Sequence, residues 1–139
     1  GFAYPYARGV VLDWIRENRL PQAIFTGNDD AALDVILTFH RLGIRVPEDV
    51  AVIGFDDAYL SPGVVPPLTT VHAPTREVGR TGVRVLLELL ETGKAEDITL
   101  LPTELVVRRS CGCSHQVEPE AWPDINLAAF HRPGVPVGS

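Results

Sequence analysis

Two polar side chains stand where apolar segments of the chain end, and their chemistry suits the recognition of a small polar ligand. Asn28 follows the apolar run at residues 23–26, and Asp56 follows a second run at residues 50–55. An amide both donates and accepts hydrogen bonds, whereas a carboxylate only accepts them. A sugar hydroxyl could therefore donate to Asp56 while it accepts from Asn28. This pair predicts reversible binding of a ligand that is rich in hydroxyl or NH groups.

The same residues also have a structural interpretation. Asn and Asp at a turn from strand to helix are most often N-caps, which stabilise a helix by roughly 1 kcal/mol. For Asn28, capping and binding are equally open, whereas for Asp56 binding is favoured because no amphipathic helix obviously begins at Asp57. Asp29 and Asp30 are interpreted as residues of a helix start, where their charge meets the positive end of the helix dipole. Asp57 is interpreted as a structural partner.

Catalysis has little support in the sequence, and we predict no catalytic residue. The four histidines are scattered, no serine lies in a G-x-S-x-G setting, and no glycine-rich phosphate loop is present. His40 is interpreted as a solvated helix residue, and His72 as a polar residue at a strand end. Arg108 and Arg109 are interpreted as solvated charges at the end of a strand.

Two thiols and an imidazole alternate at Cys111, Cys113 and His115, and such soft ligands could hold zinc or copper. A fourth ligand is not evident, so we predict no metal site and no cofactor. A disulfide between Cys111 and Cys113 is expected to be strained and to close almost no loop.

The elements that must position these side chains follow from the spacing of apolar residues. Buried strands that alternate with amphipathic helices form βαβ units, which predict an α/β fold with a parallel sheet flanked by helices. The strand at residues 50–55 is apolar without alternation, as expected where both faces of a sheet are covered. The predicted helices are 7–19, 29–42 and 75–92, and the predicted strands are 23–26, 50–55, 68–72 and 101–109, the last at a sheet edge.

The composition limits the classes of function. The chain has 139 residues, of which 45% are hydrophobic, and 12 Lys and Arg oppose 18 Asp and Glu for a net charge of −6. That acidity disfavours contact with nucleic acid or anionic lipid by this chain alone. No apolar run is long enough to span a bilayer, and no export signal is recognised. Because the chain starts with Gly1 and lacks methionine, we expect a longer gene product.

Four segments in this order and spacing resemble the C-terminal part of the effector-binding domain of LacI/GalR-family transcription regulators. They are PQAIFTGNDDAA, LGIRVPEDVAVIGFDD, PPLTTVHAPTREVG and LLPTELVVRRS, within residues 2–110. The resemblance implies a type I periplasmic-binding-protein fold, in which two α/β subdomains surround a cleft for a small effector. Residues 1–110 are therefore predicted to be a portion of this domain, and the proline-interrupted residues 111–139 a poorly ordered tail or linker.

The resemblance also implies site residues. Asn28 corresponds to the Asn of the family's Asn-Asp motif, and Asp56 to the first Asp of its Gly-aromatic-Asp-Asp motif. Tyr4, five residues before Gly9, corresponds to an aromatic residue that stacks on the ligand, although an exposed aromatic near a frayed terminus is an equal alternative. We therefore predict Tyr4, Asn28 and Asp56 as ligand-binding residues.

The function implied by the resemblance is non-catalytic binding of a sugar or nucleobase-like effector in the cytoplasm by a homodimer. DNA would be bound only through a domain outside this chain, and effector-driven closure would be transmitted to that output module. The alternatives are a sensor domain of a diguanylate cyclase or histidine kinase, a periplasmic solute receptor, and a small metal or redox enzyme.

A missing first subdomain would leave one helix without its partner. The apolar residues Val78, Val85, Leu86 and Leu89 on the helix at 75–92 would then be exposed to water. We expect this helix to find another partner by packing against its own sheet, by dimerising or by domain exchange.

Overall fold

A computed structural model of the protein describes residues 5–95 and 98–113. Helices and strands alternate along the chain, as predicted for an α/β fold. Among the described residues, no helix combines the length and the apolar character that crossing a bilayer requires. The elements are α1 (Pro5–Arg16), β1 (Ala23–Phe25), α2 (Asp29–Leu42), β2 (Ala51–Ile53), a 3₁₀ turn (Ser61–Gly63), β3 (Thr70–His72), α3 (Thr75–Thr92) and β4 (Glu104–Val106).

The first half of the described chain is a βαβ unit, which confirms the sequence prediction. Strands β1 and β2 are parallel, with Ile24 opposite Val52. Helix α2 connects them and has the predicted bounds. It ends at Gly43, whose φ of +72° is a left-handed conformation that glycine adopts without steric cost.

The second half adds an antiparallel pair to this parallel unit. Strand β3 pairs with β4, with Val71 opposite Leu105. A parallel bridge between Ile53 and Thr69 joins β3 to β2, and the Gly54 N–H donates to the Thr69 carbonyl at 2.9 Å. The predicted parallel sheet therefore describes β1, β2 and the start of β3, whereas β4 pairs with β3 in the opposite direction.

The core lies on one face of the sheet, under α1 and α2. Ile24 and Val52 point into it from the two parallel strands. On the other face, Ala51 and Ile53 of β2 are half-buried, so the covering of both faces expected for the strand at 50–55 is only partial in the described part of the chain. Phe25, on the same face of β1, is 64% exposed. No helix of the described part of the chain packs over this face to complete the covering of the sheet. The buried apolar residues are Val11, Ile24, Ala32, Val35, Ile36, Phe39, Val50, Val52 and Leu68.

Helix α3 has the predicted bounds but little to pack on. Within it only Thr81 is buried, while Val85 is half-buried and the remaining predicted stripe of Val78, Leu86 and Leu89 is exposed. Packing against its own sheet, one of the three expected arrangements, is therefore not adopted in the described structure. The helix presents an apolar face to solvent.

We predict that the 139-residue chain self-associates through this face, because each Å² of exposed apolar surface costs roughly 25 cal/mol. Substituting Leu86→Glu places a charge within the exposed stripe and is expected to weaken the association at least tenfold in sedimentation velocity. Arg84→Gln, on the polar side of α3, changes the net charge equally and serves as the control. Equal association constants for the two variants would contradict a role for this face.

Candidate functional site

Polar residues gather where the parallel strands β1 and β2 end. Because Phe25 pairs with Ile53 in register, the segments that follow the two strands leave the sheet at the same edge. This edge of a parallel sheet is where α/β proteins bind ligands. Residues 26–30 after β1 and 54–57 after β2 form the candidate site.

Asn28 is the N-cap of α2. Its backbone is extended, with φ −161° and ψ 169°, and its Oδ1 accepts a hydrogen bond from the Ala31 N–H at 2.9 Å. The capping interpretation is therefore correct for Oδ1. The cap does not use the Nδ2 donors, and in the described part of the chain no acceptor contacts them. Capping and ligand binding can thus be carried out by different atoms of the same side chain.

Asp29 has a role that the sequence analysis missed. It is the first residue of α2, as expected, but its side chain is completely buried. Oδ2 accepts from the Ala58 N–H at 2.7 Å and from the Ser61 hydroxyl at 2.5 Å, and Oδ1 accepts from the Thr70 hydroxyl at 2.5 Å. One carboxylate therefore joins the start of α2 to the loop after β2 and to β3.

Gly54 is required by the closeness of this carboxylate. A Cβ added at Gly54 would overlap Oδ1 of Asp29 and lie 3.0 Å from Cδ2 of Leu68. The absence of a side chain at the end of β2 is thus what allows Asp29 to reach Thr70. Glycine is needed here for close approach rather than for an unusual backbone angle.

Asp56 and Asp57 occupy backbone conformations that side chains rarely adopt. Their φ angles are +112° and +54°, and the Asp56 N–H donates to the Val71 carbonyl at 2.9 Å. Each such conformation costs of order 1 to 3 kcal/mol and persists only where the surroundings enforce it. The Asp56 side chain is exposed, and its pKa is raised by partial burial and by the nearby charges of Asp29 and Asp30.

Asp57 is a structural partner, as interpreted from the sequence. Its Oδ1 accepts from the Arg108 guanidinium at 2.7 Å, and its Oδ2 lies 3.2 Å from Nδ1 of His72. The hydrogen bond from Arg108 is the main cause that lowers the Asp57 pKa, and burial opposes it. His72 therefore contacts Asp57, next to the candidate ligand residue.

Arg108 corrects the prediction of a solvated strand-end charge. Its side chain is only 18% exposed, and it also donates to the Leu68 carbonyl at 2.8 Å. By contrast, His40 and Arg109 are exposed, as expected. Arg108 holds the Asp57 carboxylate in place, and Asp57 is bonded in the chain to Asp56. Arg108 therefore helps to position the candidate ligand residue.

The remaining predicted residues are either outside the described structure or at the cysteine turn that follows β4. Tyr4 and His115 lie outside the described residues, as do residues 114–139, so the stacking aromatic and the tail stay predictions. Cys111 and Cys113 are free thiols. Among the described residues no group of three or more His, Cys, Asp or Glu could hold a metal ion.

Comparison with known proteins relates nearly all of the described region to one family. The family model for the periplasmic binding protein-like domain matches residues 3–111. The HTH-type transcriptional repressor PurR of Photobacterium profundum is 43% identical over 91 residues, which are 65% of this chain and 27% of PurR. The chain thus spans about a quarter of the length of this curated relative.

Solved structures share the fold. The Lac repressor dimer bound to operator and the anti-inducer ONPF matches with a TM-score of 0.71 and 33% identity, over 75% of this chain and 36% of the repressor. The complex of the transcriptional regulator CelR with cellobiose matches with a TM-score of 0.69 and 33% identity, over 78% of this chain and 34% of CelR.

We predict that Gly54→Ala destabilises the protein by about 2 kcal/mol, the usual cost of overpacking, because the new methyl group overlaps the Asp29 carboxylate. Gly27→Ala, after the neighbouring strand, is the control, since a Cβ there meets no atom within 4 Å. Urea unfolding measures both. If the two variants are equally stable, the close approach of Asp29 to Gly54 is wrong.

Asn28 substitutions separate the cap from other roles of this side chain. Asn28→Ala is expected to lower the free energy of unfolding by about 1 kcal/mol, whereas Asn28→Asp keeps an oxygen for the Ala31 N–H and should be nearly neutral. Thermal unfolding followed by circular dichroism gives the comparison. Equal losses in both variants would contradict the capping role of Oδ1.

Proposed function

Since the chain belongs to the periplasmic binding protein-like family, and within it to the LacI-type regulators, we propose that it is one lobe of an effector-binding site. The ligand is a small polar molecule of the sugar or nucleobase class, held by Asn28 and Asp56. The site binds its ligand and releases it unchanged, without catalysis. The described relatives favour this function over a signalling sensor, a solute receptor or a metal or redox enzyme.

The strained backbone at Asp56 and Asp57 is the observation that carries this proposal. Strain of this kind concentrates at sites where a side chain must be held in one position. Here each of the two residues is fixed by a hydrogen bond: the Asp56 N–H donates to the Val71 carbonyl, and the Asp57 carboxylate accepts from Arg108. Asp56 itself is left exposed at the carboxyl end of β2, with its carboxylate directed to no described donor.

The chemistry of Asp56 suits a ligand that donates hydrogen bonds. Its raised pKa shows that its negative charge is disfavoured by burial and by Asp29 and Asp30. A hydroxyl or NH group of a ligand would stabilise the negative charge of Asp56 by donating to the carboxylate. Hydrogen bonds to charged groups contribute about 1.5 to 3 kcal/mol each. An anionic ligand would instead meet three acidic residues at this edge. Neutral sugars and nucleobases therefore fit better than organic acids.

Signal transmission in this proposal depends on closure of two lobes around the effector. The chain covers 27% of PurR and 36% of the Lac repressor, so we assign the second lobe to the remainder of a longer protein. The exposed apolar face of α3 is the surface we assign to that lobe. A ligand that contacts both lobes favours the closed arrangement by its difference in affinity for the two states.

In the longer protein, where the second lobe covers the α3 face, dimerisation is proposed through a different surface. Leu37 and Leu60, both more than half exposed, line a shallow apolar cleft of about 450 Å³ on the outer side of α2. A second copy of the chain is the occupant we propose, in keeping with the dimer described for the Lac repressor. DNA binding is assigned to a separate domain, because an acidic lobe is poorly suited to phosphate contacts. A regulator of this kind would act in the cytoplasm.

The proposal is tested by Asp56→Asn in the longer protein that contains both lobes. Isothermal titration with a panel of sugars and nucleobases identifies the ligand for the wild type. The substitution should then weaken binding about 10- to 100-fold, which corresponds to loss of one or two charge-assisted hydrogen bonds. The unfolding temperature should not fall, because the carboxylate accepts no hydrogen bond from the described residues and its charge is disfavoured by Asp29 and Asp30.

Asp13→Asn is the matched control, since it removes the same charge from an exposed α1 residue that pairs only with Arg16 among the described residues. It should bind like the wild type. Wild-type affinity in Asp56→Asn, or catalytic turnover of the bound ligand, would refute the proposed function.

A further inference from the structure

The Cys111-Gly112-Cys113 turn, defined here as the dithiol turn, lies far from the candidate ligand site. It follows β4, and because β4 runs antiparallel to β3, the turn lies beside the amino ends of the parallel strands. Asn28 and Asp56 lie at the opposite, carboxyl ends. Whatever the two thiols do is therefore separate from effector binding.

The backbone of the turn brings the two cysteines together. Gly112 has a φ of +74°, a left-handed conformation that folds the chain back on itself. As a result the Cys113 N–H donates to the Cys111 sulfur at 3.3 Å. A Cβ on Gly112 would also come within 3.4 Å of Pro47. This distance is an ordinary van der Waals contact, so the glycine is required for the angle alone.

The two sulfur atoms are electrostatically unequal. Burial raises the pKa of the Cys111 thiol, but hydrogen bonds with Thr69 and with the side chain and N–H of Cys113 outweigh it, so the pKa is lowered. The pKa of Cys113 is raised, first because its thiol hydrogen-bonds to Cys111. The Cys111 sulfur, which accepts the Cys113 N–H, is therefore placed as the nucleophile, and Cys113 as the resolving group.

A cleft beside the turn has room for a small reactant. It has a volume of about 470 Å³, and it is lined by Pro47, Pro66 and Pro67 together with Glu48, Arg109, Gly112 and Cys113. Cys111 directly precedes the lining residue Gly112 and is not itself part of the lining. The prolines offer apolar contact, whereas the carboxylate and the guanidinium offer partners for both charges of a zwitterion. Amino-acid-derived thiols and their disulfides have this chemistry.

Ser110, the residue before the turn, is firmly attached to the core. It is fully buried, its hydroxyl donates to the Val52 carbonyl at 2.6 Å and accepts from the Thr69 N–H at 2.8 Å, and its carbonyl accepts from the Val52 N–H at 2.8 Å. The dithiol turn is thus held rigidly at one end, directly before residues 114–139.

We propose that Cys111 and Cys113 form a reversible redox pair that is oxidised by a low-molecular-weight, zwitterionic disulfide bound in the adjacent cleft. The Cys111 thiolate attacks one sulfur of the reactant, whose S–S bond breaks and releases one thiolate. The Cys113 thiol then loses its proton to solvent and attacks the Cys111 sulfur, which releases the second thiol. The protein loses two electrons and two protons, and the disulfide becomes two thiols.

Strain explains why this pair would be reversible. Only one residue separates the two cysteines, so the product disulfide closes a very small ring. Strained and exposed disulfides have high reduction potentials and are readily reduced again. A disulfide in this tight turn would be a poor structural crosslink, but its easy reduction suits a regulatory one.

The test uses glutathione disulfide as the reactant and the full 139-residue chain, which contains two cysteines in all. Intact-mass analysis after oxidation should show the loss of two hydrogens, no remaining alkylatable thiol, and full recovery with dithiothreitol. Cys113→Ser should stop at a stable glutathione adduct on Cys111. Cys111→Ser should react at least tenfold more slowly, because the nucleophile is gone.

Gly112→Ala tests the geometry without removing either thiol. An alanine is disfavoured in the left-handed conformation of residue 112, so the substitution should slow ring closure about 5- to 30-fold. The first attack by Cys111 should continue. Equal reactivity of the two single-cysteine variants, or oxidation of the wild type only to adducts or crosslinked dimers, would overturn the proposal. Circular dichroism of each variant excludes unfolding as the cause.

Discussion

The buried carboxylate of Asp29 is the interaction on which the rest of the described structure depends. It lies in the first turn of α2 and accepts one backbone N–H and two hydroxyls, from Ala58, Ser61 and Thr70. Removing one of these donors leaves a buried carboxylate oxygen short of a hydrogen bond, at a cost of about 1 to 3 kcal/mol. The position of the loop after β2 is therefore fixed relative to α2 and β3 at once. Glycine is required at position 54 because any side chain there would occupy the space of this carboxylate.

This constraint also explains the candidate site. The loop that Asp29 holds by the Ala58 N–H includes Asp56 and Asp57, whose positive φ angles would relax if the loop were free. Arg108 holds the same loop from the other side through Asp57. The backbone of Asp56 is consequently held in one position at the sheet edge to which α2 also points its N-cap. A binding group that is positioned before its ligand arrives loses less entropy on binding.

Local features of the structure could be predicted from the sequence, whereas distant ones could not. The bounds of α2 follow from a capping residue, an apolar period and a terminal glycine, all of which lie within the segment itself. The partners of Asp29 are 29 to 41 residues away, and Arg108 is 51 residues from Asp57, so no local pattern reveals these bonds. The exposure of Phe25 could not be foreseen because an apolar run shows that a strand needs covering, without showing which chain covers it. Asn28 combines a predictable and an unpredictable feature. Its capping role follows from the local sequence, whereas only the structure shows that Oδ1 makes the cap and that Nδ2 is left for other contacts.

A crystal structure of the two-lobed protein with its effector bound would test the central claim most directly. We predict that one ligand accepts from Nδ2 of Asn28 and donates to the Asp56 carboxylate, each at about 2.7 to 3.2 Å. Asp29 should remain bonded to Ala58, Ser61 and Thr70, with no contact to the ligand. A ligand held by Asp29 itself, or one bound away from both Asn28 and Asp56, would contradict the account.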